Sequence, residues 1–125
     1  MSLPADATVR PAASFSADLA SAVAFFEQQD PRSALARANK LREGLAQAVS
    51  MLAWAPTCGR LARLGRLSRS APARARVQAL ATQAGLPHLR EFVVGQHILL
   101  YAHSDEAVLL LALKHERQLE FSVAR

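Results

Sequence analysis

The run HLREFVVGQHILLYAHSDEAVLLLALKH, residues 88–115, consists of short apolar stretches broken by Gly95-Gln96 and Ser104-Asp105. Stretches of this length between turn-forming pairs read as strands. Turns this tight join antiparallel neighbours. The segment therefore predicts a meander of three antiparallel strands: HLREFVVG, HILLYAH and AVLLLALKH. The third strand has seven apolar residues in succession, which calls for a central position with cover on both faces. In the second, His97, Leu99, Tyr101 and His103 fall on one face and Ile98, Leu100 and Ala102 on the other.

Upstream the period is helical. Phe15, Leu19, Ala22, Val23 and Phe26 predict a helix capped by Ser16 and ending near Gln29, with Asp18 in the first turn, where the dipole favours an acid. Asp30-Pro31 restarts a helix, since Asp caps free amides and Pro fits the first turn. Its apolar stripe is Ala34, Leu35, Ala38, Leu41, Leu45, Ala48, Val49 and Leu52, and Trp54-Ala55-Pro56 closes it. The short joint predicts an antiparallel helical hairpin. Before it, ATVRPAASF reads as a short strand that Pro11 confines to an edge or cuts short.

Charge is unevenly placed. Residues 1–43 hold five bases and five acids, residues 44–90 seven arginines and no acid, and residues 91–125 three bases and five acids. The whole net charge of +5 therefore lies in the middle, favouring a polyanionic partner, either nucleic acid or an acidic protein segment. Within this belt RLARLGRLSR places Leu61, Leu64 and Leu67 on one side of a short amphipathic helix weakened by Gly65. A second helix is expected from about Pro72 to Ala84, with Val77, Leu80, Ala81 and Ala84 on one face and Gly85 at its end. With 125 residues and 51% hydrophobic content, residues 1–125 are expected to form one domain around one core. Cys58 is the single cysteine, so no internal disulfide is possible; without a partner base it reads as an inert thiol. The N-terminus lacks a signal-like pattern and AVLLLAL is too short to cross a bilayer, so a cytoplasmic location and no membrane partner are expected.

The order of weak strand, helical hairpin, Pro-x-x-Gly-Arg and three-strand meander ending in His-x-Arg resembles the RelE/ParE superfamily of bacterial toxins, and more closely its ParE type. The resemblance rests on Asp18-Leu19 in the first helix, on Pro56, Gly59 and Arg60 in APTCGR, on LREFVVGQHILLY, and on LKHERQ after the last strand. It implies an α+β fold with an N-terminal helical hairpin packed on a small twisted antiparallel sheet. It also implies a cognate antitoxin as partner, in a toxin–antitoxin heterocomplex, with a homodimer as the alternative state. Residues 61–87 exceed the short connection usual in such toxins and read as a helical or loop insertion before the meander.

The superfamily divides by target. The RelE type cuts messenger RNA on the ribosome and uses several bases on the sheet face and a tail tyrosine; the ParE type poisons DNA gyrase by binding. A ribonuclease without a metal needs bases and a proton donor converging on one phosphate. Its candidates here are Arg90, Tyr101, His115 and Arg117, with Phe92, His115 and Phe121 standing where further functional side chains would be expected. The ParE reading assigns target contact to Arg60, Arg90, His115 and Arg117, and requires no catalytic residue and no cofactor. A non-toxic module that kept the fold is a third possibility. Arg63, Arg66, Arg69, Arg74 and Arg76 of the insertion serve an acidic antitoxin, DNA near gyrase, or solubility alone. The absence of aromatics between Trp54 and Phe92 counts against a nucleic-acid arm. Bland roles stand beside these: a surface ion pair of Arg90 with Glu116, and a core tyrosine whose hydroxyl reaches the surface. His88, His97, His103 and His115 fit no standard metal-ligand spacing.

Overall fold

The computed structural model describes residues 6–62 and 71–116 and, in the last helix, side chains from Ala75 onward. Most of RLARLGRLSR, with Arg63, Leu64, Arg66, Leu67 and Arg69, lies outside the described residues, as do the side chain of Arg74 and the tail from Arg117, including Phe121.

Strand β1 (Thr8–Pro11) leads into α1 (Ala13–Gln29) and α2 (Pro31–Trp54), followed by a 3-10 turn (Pro56–Cys58) and the short strand β2 (Arg60–Leu61). Then come helix α3 (Ala71–Gln83) and strands β3 (His88–Val94), β4 (His97–His103) and β5 (Ala107–His115). The sheet order is β1-β5-β4-β3-β2. The expected α+β architecture is the observed one, with one difference: β1 pairs parallel to β5, so the sheet is mixed rather than wholly antiparallel. A parallel pair needs a long crossover. Here everything from α1 to β4 lies between the two strands. Pro11 sits on the outermost strand, where its missing N–H breaks no ladder.

Both sheet faces are covered. Leu99, Tyr101, Val108, Leu110 and Leu113 pack under the hairpin with Phe15, Phe26, Leu41, Leu45 and Leu52. Leu100, Ala102, Leu111 and Ala112 pack under α3 with Val77, Ala81 and Leu86. Leu99 and Leu100, adjacent on β4, are each 0% exposed, so water reaches neither face at that point. Helix α3 ends as its glycine predicts. Gly85 takes φ +71°, its N–H donates to the Thr82 carbonyl, and the Leu86 N–H reaches back to Ala81, so the last carbonyls are satisfied while Leu86 folds onto the core.

Three local expectations change. Helix α1 starts at Ala13, not Ser16, and no side chain caps it. Its early polar residues bond to β5 instead: Ser14 Oγ donates to the Leu111 carbonyl at 2.5 Å, and Asp18 Oδ2 accepts from the Leu113 N–H at 2.9 Å. Helix α1 thereby covers the edge of β5 beyond the end of β1. A bulge accompanies this. Leu100 faces Ala112 while Tyr101 faces Leu110, leaving Leu111 extra, and Leu111 and Ala112 both join the α3-side core. Finally, Leu35 leaves the α2 stripe at 71% exposure, because it lies about a sixth of a turn or more from each of the buried residues Ala34, Ala38, Leu41 and Leu45. The Asp30 cap holds as predicted, its Oδ1 accepting from the Arg32 N–H at 3.1 Å.

Candidate functional site

On the hairpin side of the sheet a polar network lies where α2 gives way to β2. Tyr101 is 0% exposed, and its phenol donates to the Pro56 carbonyl at 2.6 Å and accepts from the Gly59 N–H at 3.0 Å. Burial pushes the phenol above its ordinary value, so it stays protonated and serves both bonds. Gly59 is required by this approach: a Cβ there would lie 2.6 Å from the Glu91 carbonyl oxygen and 2.6 Å from the Tyr101 hydroxyl oxygen. The hydroxyl thus does not reach the surface, as a tyrosine of the expected kind would, but ties the 56–59 connection to the sheet.

Arg90 joins the same corner. Its Nε donates to His103 Nε2 at 2.9 Å and its Nη1 to the Gly59 carbonyl at 2.9 Å. The expected surface ion pair with Glu116 is not formed; Arg90 stands opposite Tyr101 in the sheet, close to His103 and the Gly59 carbonyl. His103 is 1% exposed, and its Nδ1 lies 3.2 Å from the Ser104 carbonyl. Burial holds the imidazole below its ordinary value against the pull of that carbonyl, and the Arg90 and His88 charges add to the effect. A neutral ring protonated at Nδ1 satisfies both contacts. Cys58, nearby on the connection, is exposed, and desolvation holds its thiol above its ordinary value, which leaves it a poor nucleophile.

The other candidates are dispersed. Arg60 stands opposite Glu91 and contacts its carboxylate at 3.4 Å, so it leaves the sheet on the α3 face, away from Arg90. His115 pairs with His97 on β4, four residues from Tyr101 and therefore roughly 13 Å along the strand. Its ring meets that of His97 edge-on at 5.3 Å. Phe92 is half-buried against the hairpin core and so has a packing role. Arg76 is exposed on α3. Among the described residues, no three His, Cys, Asp or Glu side chains are grouped to hold a metal ion. The histidines instead form two pairs, His97 with His115 and His88 with His103.

A second feature lies at the His97 end: a groove of about 520 Å³ between α2 and the β3–β4 turn, lined by Phe26, Arg37, Lys40, Val94 and His97 among others. Arg37 lies 4.3 Å over the Phe26 ring and donates to Gln29. His97 is held below its ordinary value by burial first, then by His115 and Arg37.

Over residues 9–120 the sequence matches the family described as the ParE toxin of type II toxin-antitoxin system, parDE. The chain belongs to the ParE toxin family. No curated protein matches it. For a ParE toxin the corner gives the Pro56, Gly59, Arg60 and Tyr101 pattern a physical meaning, since three of those residues meet in the phenol's two hydrogen bonds and the glycine permits the contact. Sequence reasoning missed His103 as the partner of Arg90, although a signal existed. A two-residue turn at Gly95-Gln96 pairs Val94 with His97, which sets Arg90 opposite Tyr101 and His88 opposite His103, making Arg90 and His103 diagonal neighbours. The Arg37 and Lys40 lining had a weaker signal, two cations three residues apart on α2.

Proposed function

We propose that this ParE-family chain is the toxin of a type II module, acting by binding DNA gyrase in the cytoplasm and silenced by a cognate antitoxin. The observation that carries this reading is the engagement of Tyr101: a phenol fully buried and bonded to two backbone groups is not available as the proton donor a ribonuclease requires. Arg90 on β3 and His115 on β5 stand too far apart along the strand direction to act on one phosphate, and Arg60 is on the other face. The surroundings favour a protein partner. Leu61, 67% exposed, stands opposite Arg90 in the sheet and supplies apolar contact beside that cation, and Trp54, 81% exposed, precedes the connection in sequence. Arg60, Arg90, His115 and Arg117 remain the proposed target contacts, and the basic belt from Arg63 to Arg76 the proposed antitoxin contact.

Induction of the full chain in a susceptible bacterium tests the reading. Growth arrest relieved by co-expressing the acidic product of a neighbouring reading frame is the expected result; soluble expression without arrest would sink it.

A further inference from the structure

Arg90 is a half-buried guanidinium whose two bonded partners, an imidazole nitrogen and a carbonyl, are both uncharged. Among the described residues, Nη2 has no hydrogen-bond partner and no carboxylate lies in ion-pair range of Arg90. A cation partly removed from water gains most from a partner that brings negative charge. Its orientation, moreover, depends on a group that titrates. The Nε–H of Arg90 points at His103 Nε2 across 2.9 Å, which requires a lone pair on that nitrogen. A proton there would set donor against donor and cation against cation.

We infer that His103 is a positioning residue: as a neutral imidazole it holds the Arg90 guanidinium beside the Gly59 carbonyl, so that Nη2 meets a carboxylate of a protein partner, and it releases Arg90 when protonated. This rests on the proposed role of Arg90 in target contact. A carboxylate rather than a nucleic-acid backbone fits one uncommitted cation beside the exposed apolar Leu61, its neighbour across the sheet, because phosphate tracking draws on many cations at once.

The groups facing His103 set the balance of the switch. From β3 come Arg90 and His88, the latter with its ring 5.0 Å away, and both oppose a charge on His103. On β4 the protonated phenol ring of Tyr101 lies at 5.8 Å. From the β4–β5 turn, the Ser104 carbonyl and Asp105 favour the charged form. On β5 the residue opposite is the apolar Val108. Cys58, on the connection, carries a protonated thiol. With burial added, neutrality prevails near pH 7 and acid reverses it.

The test uses the full chain in two arms. In the first, nitrogen-15 spectra report the His103 tautomer and the Arg90 Nε–H between about pH 8 and about pH 5. The expected result is an Nδ1–H tautomer and an Nε–H protected from exchange, both lost together on acidification. An Arg90 Nε–H that exchanges as freely as those of exposed arginines overturns the inference, and this arm needs no variant. In the second arm, purified DNA gyrase is the binding probe at about pH 7.5. His103→Leu, which removes the acceptor, is expected to weaken binding about tenfold, as one lost charge-assisted contact implies. Arg90→Ala should weaken it similarly, and the double variant no further. His103→Gln, which keeps an acceptor that does not titrate, should recover most of the loss. Additive losses, or wild-type binding by His103→Leu, would overturn the proposal. If the wild-type chain binds no gyrase, the target reading fails instead, and the spectra alone decide whether His103 holds Arg90.

Discussion

The two faces of this sheet are covered by different means. On the hairpin face, large side chains of α1 and α2 meet Leu99, Tyr101 and Leu113, and one end is closed by a network of Tyr101, Gly59, Arg90 and His103. On the α3 face the core is smaller, built on Ala102, Ala112, Leu100 and Leu111 beneath Val77, Ala81 and Leu86. The α3 face also carries the Arg60–Glu91 ion pair. The first face resists change because polar geometry and packing constrain each other, whereas the second depends on apolar area supplied by one short helix. Function proposed at the Arg90 corner therefore sits on the more rigid side.

The largest expected effect comes from Gly59→Ala. Its new methyl must displace Tyr101 or the Glu91 carbonyl, which should cost about 3 kcal/mol in chemical denaturation. A near-neutral result would mean that the corner yields easily and that the contrast between faces is wrong. Tyr101→Phe leaves the Gly59 N–H and the Pro56 carbonyl without their partner and should cost about 2 kcal/mol. Val77→Ala should cost about 1.5 kcal/mol. Hydrogen exchange then discriminates: protection is expected to fall in α3 while α1, α2 and their side of the core hold. Equal loss on both faces would show that they unfold as one unit.

The smallest effect is that of acid. His97 and His103 both have folded values below the ordinary one, so the unfolded chain binds more protons as pH falls below about 6.5. Their contribution to stability is present above that pH and is lost as pH drops through the folded values. Thermal melts from about pH 8 to about pH 5.5 should show a decline, and His103→Gln should flatten the part that arises at the Arg90 corner. An unchanged slope in that variant would place the whole effect at the His97 groove.

The meander was legible to within one residue, the first strand stopping at Val94 just before Gly95, because turn pairs bound each strand, and Val94 opposite His97 then propagates the register. The same apolar richness hid the bulge: AVLLLAL contains no polar residue to mark where the alternation slips at Leu111. Asp18 was legible as a helix residue but not as the acceptor of the Leu113 N–H, since its partner lies in the last strand and no local pattern announces it. At the site, Gly59 and Tyr101 stood out by resemblance, but their contact did not, because a hydrogen bond across that separation depends on how α2 meets the sheet. Arg60 and Arg90 looked equivalent in sequence; strand alternation sends them to opposite faces.

The most direct measurement is whether the purified chain, mixed with DNA gyrase and supercoiled plasmid, stabilises the gyrase–DNA cleavage complex. The account predicts linear plasmid released by detergent and protease, less of it with Arg90→Ala, and no cutting of ribosome-bound message. Message cleaved on the ribosome, with gyrase unaffected, would contradict it.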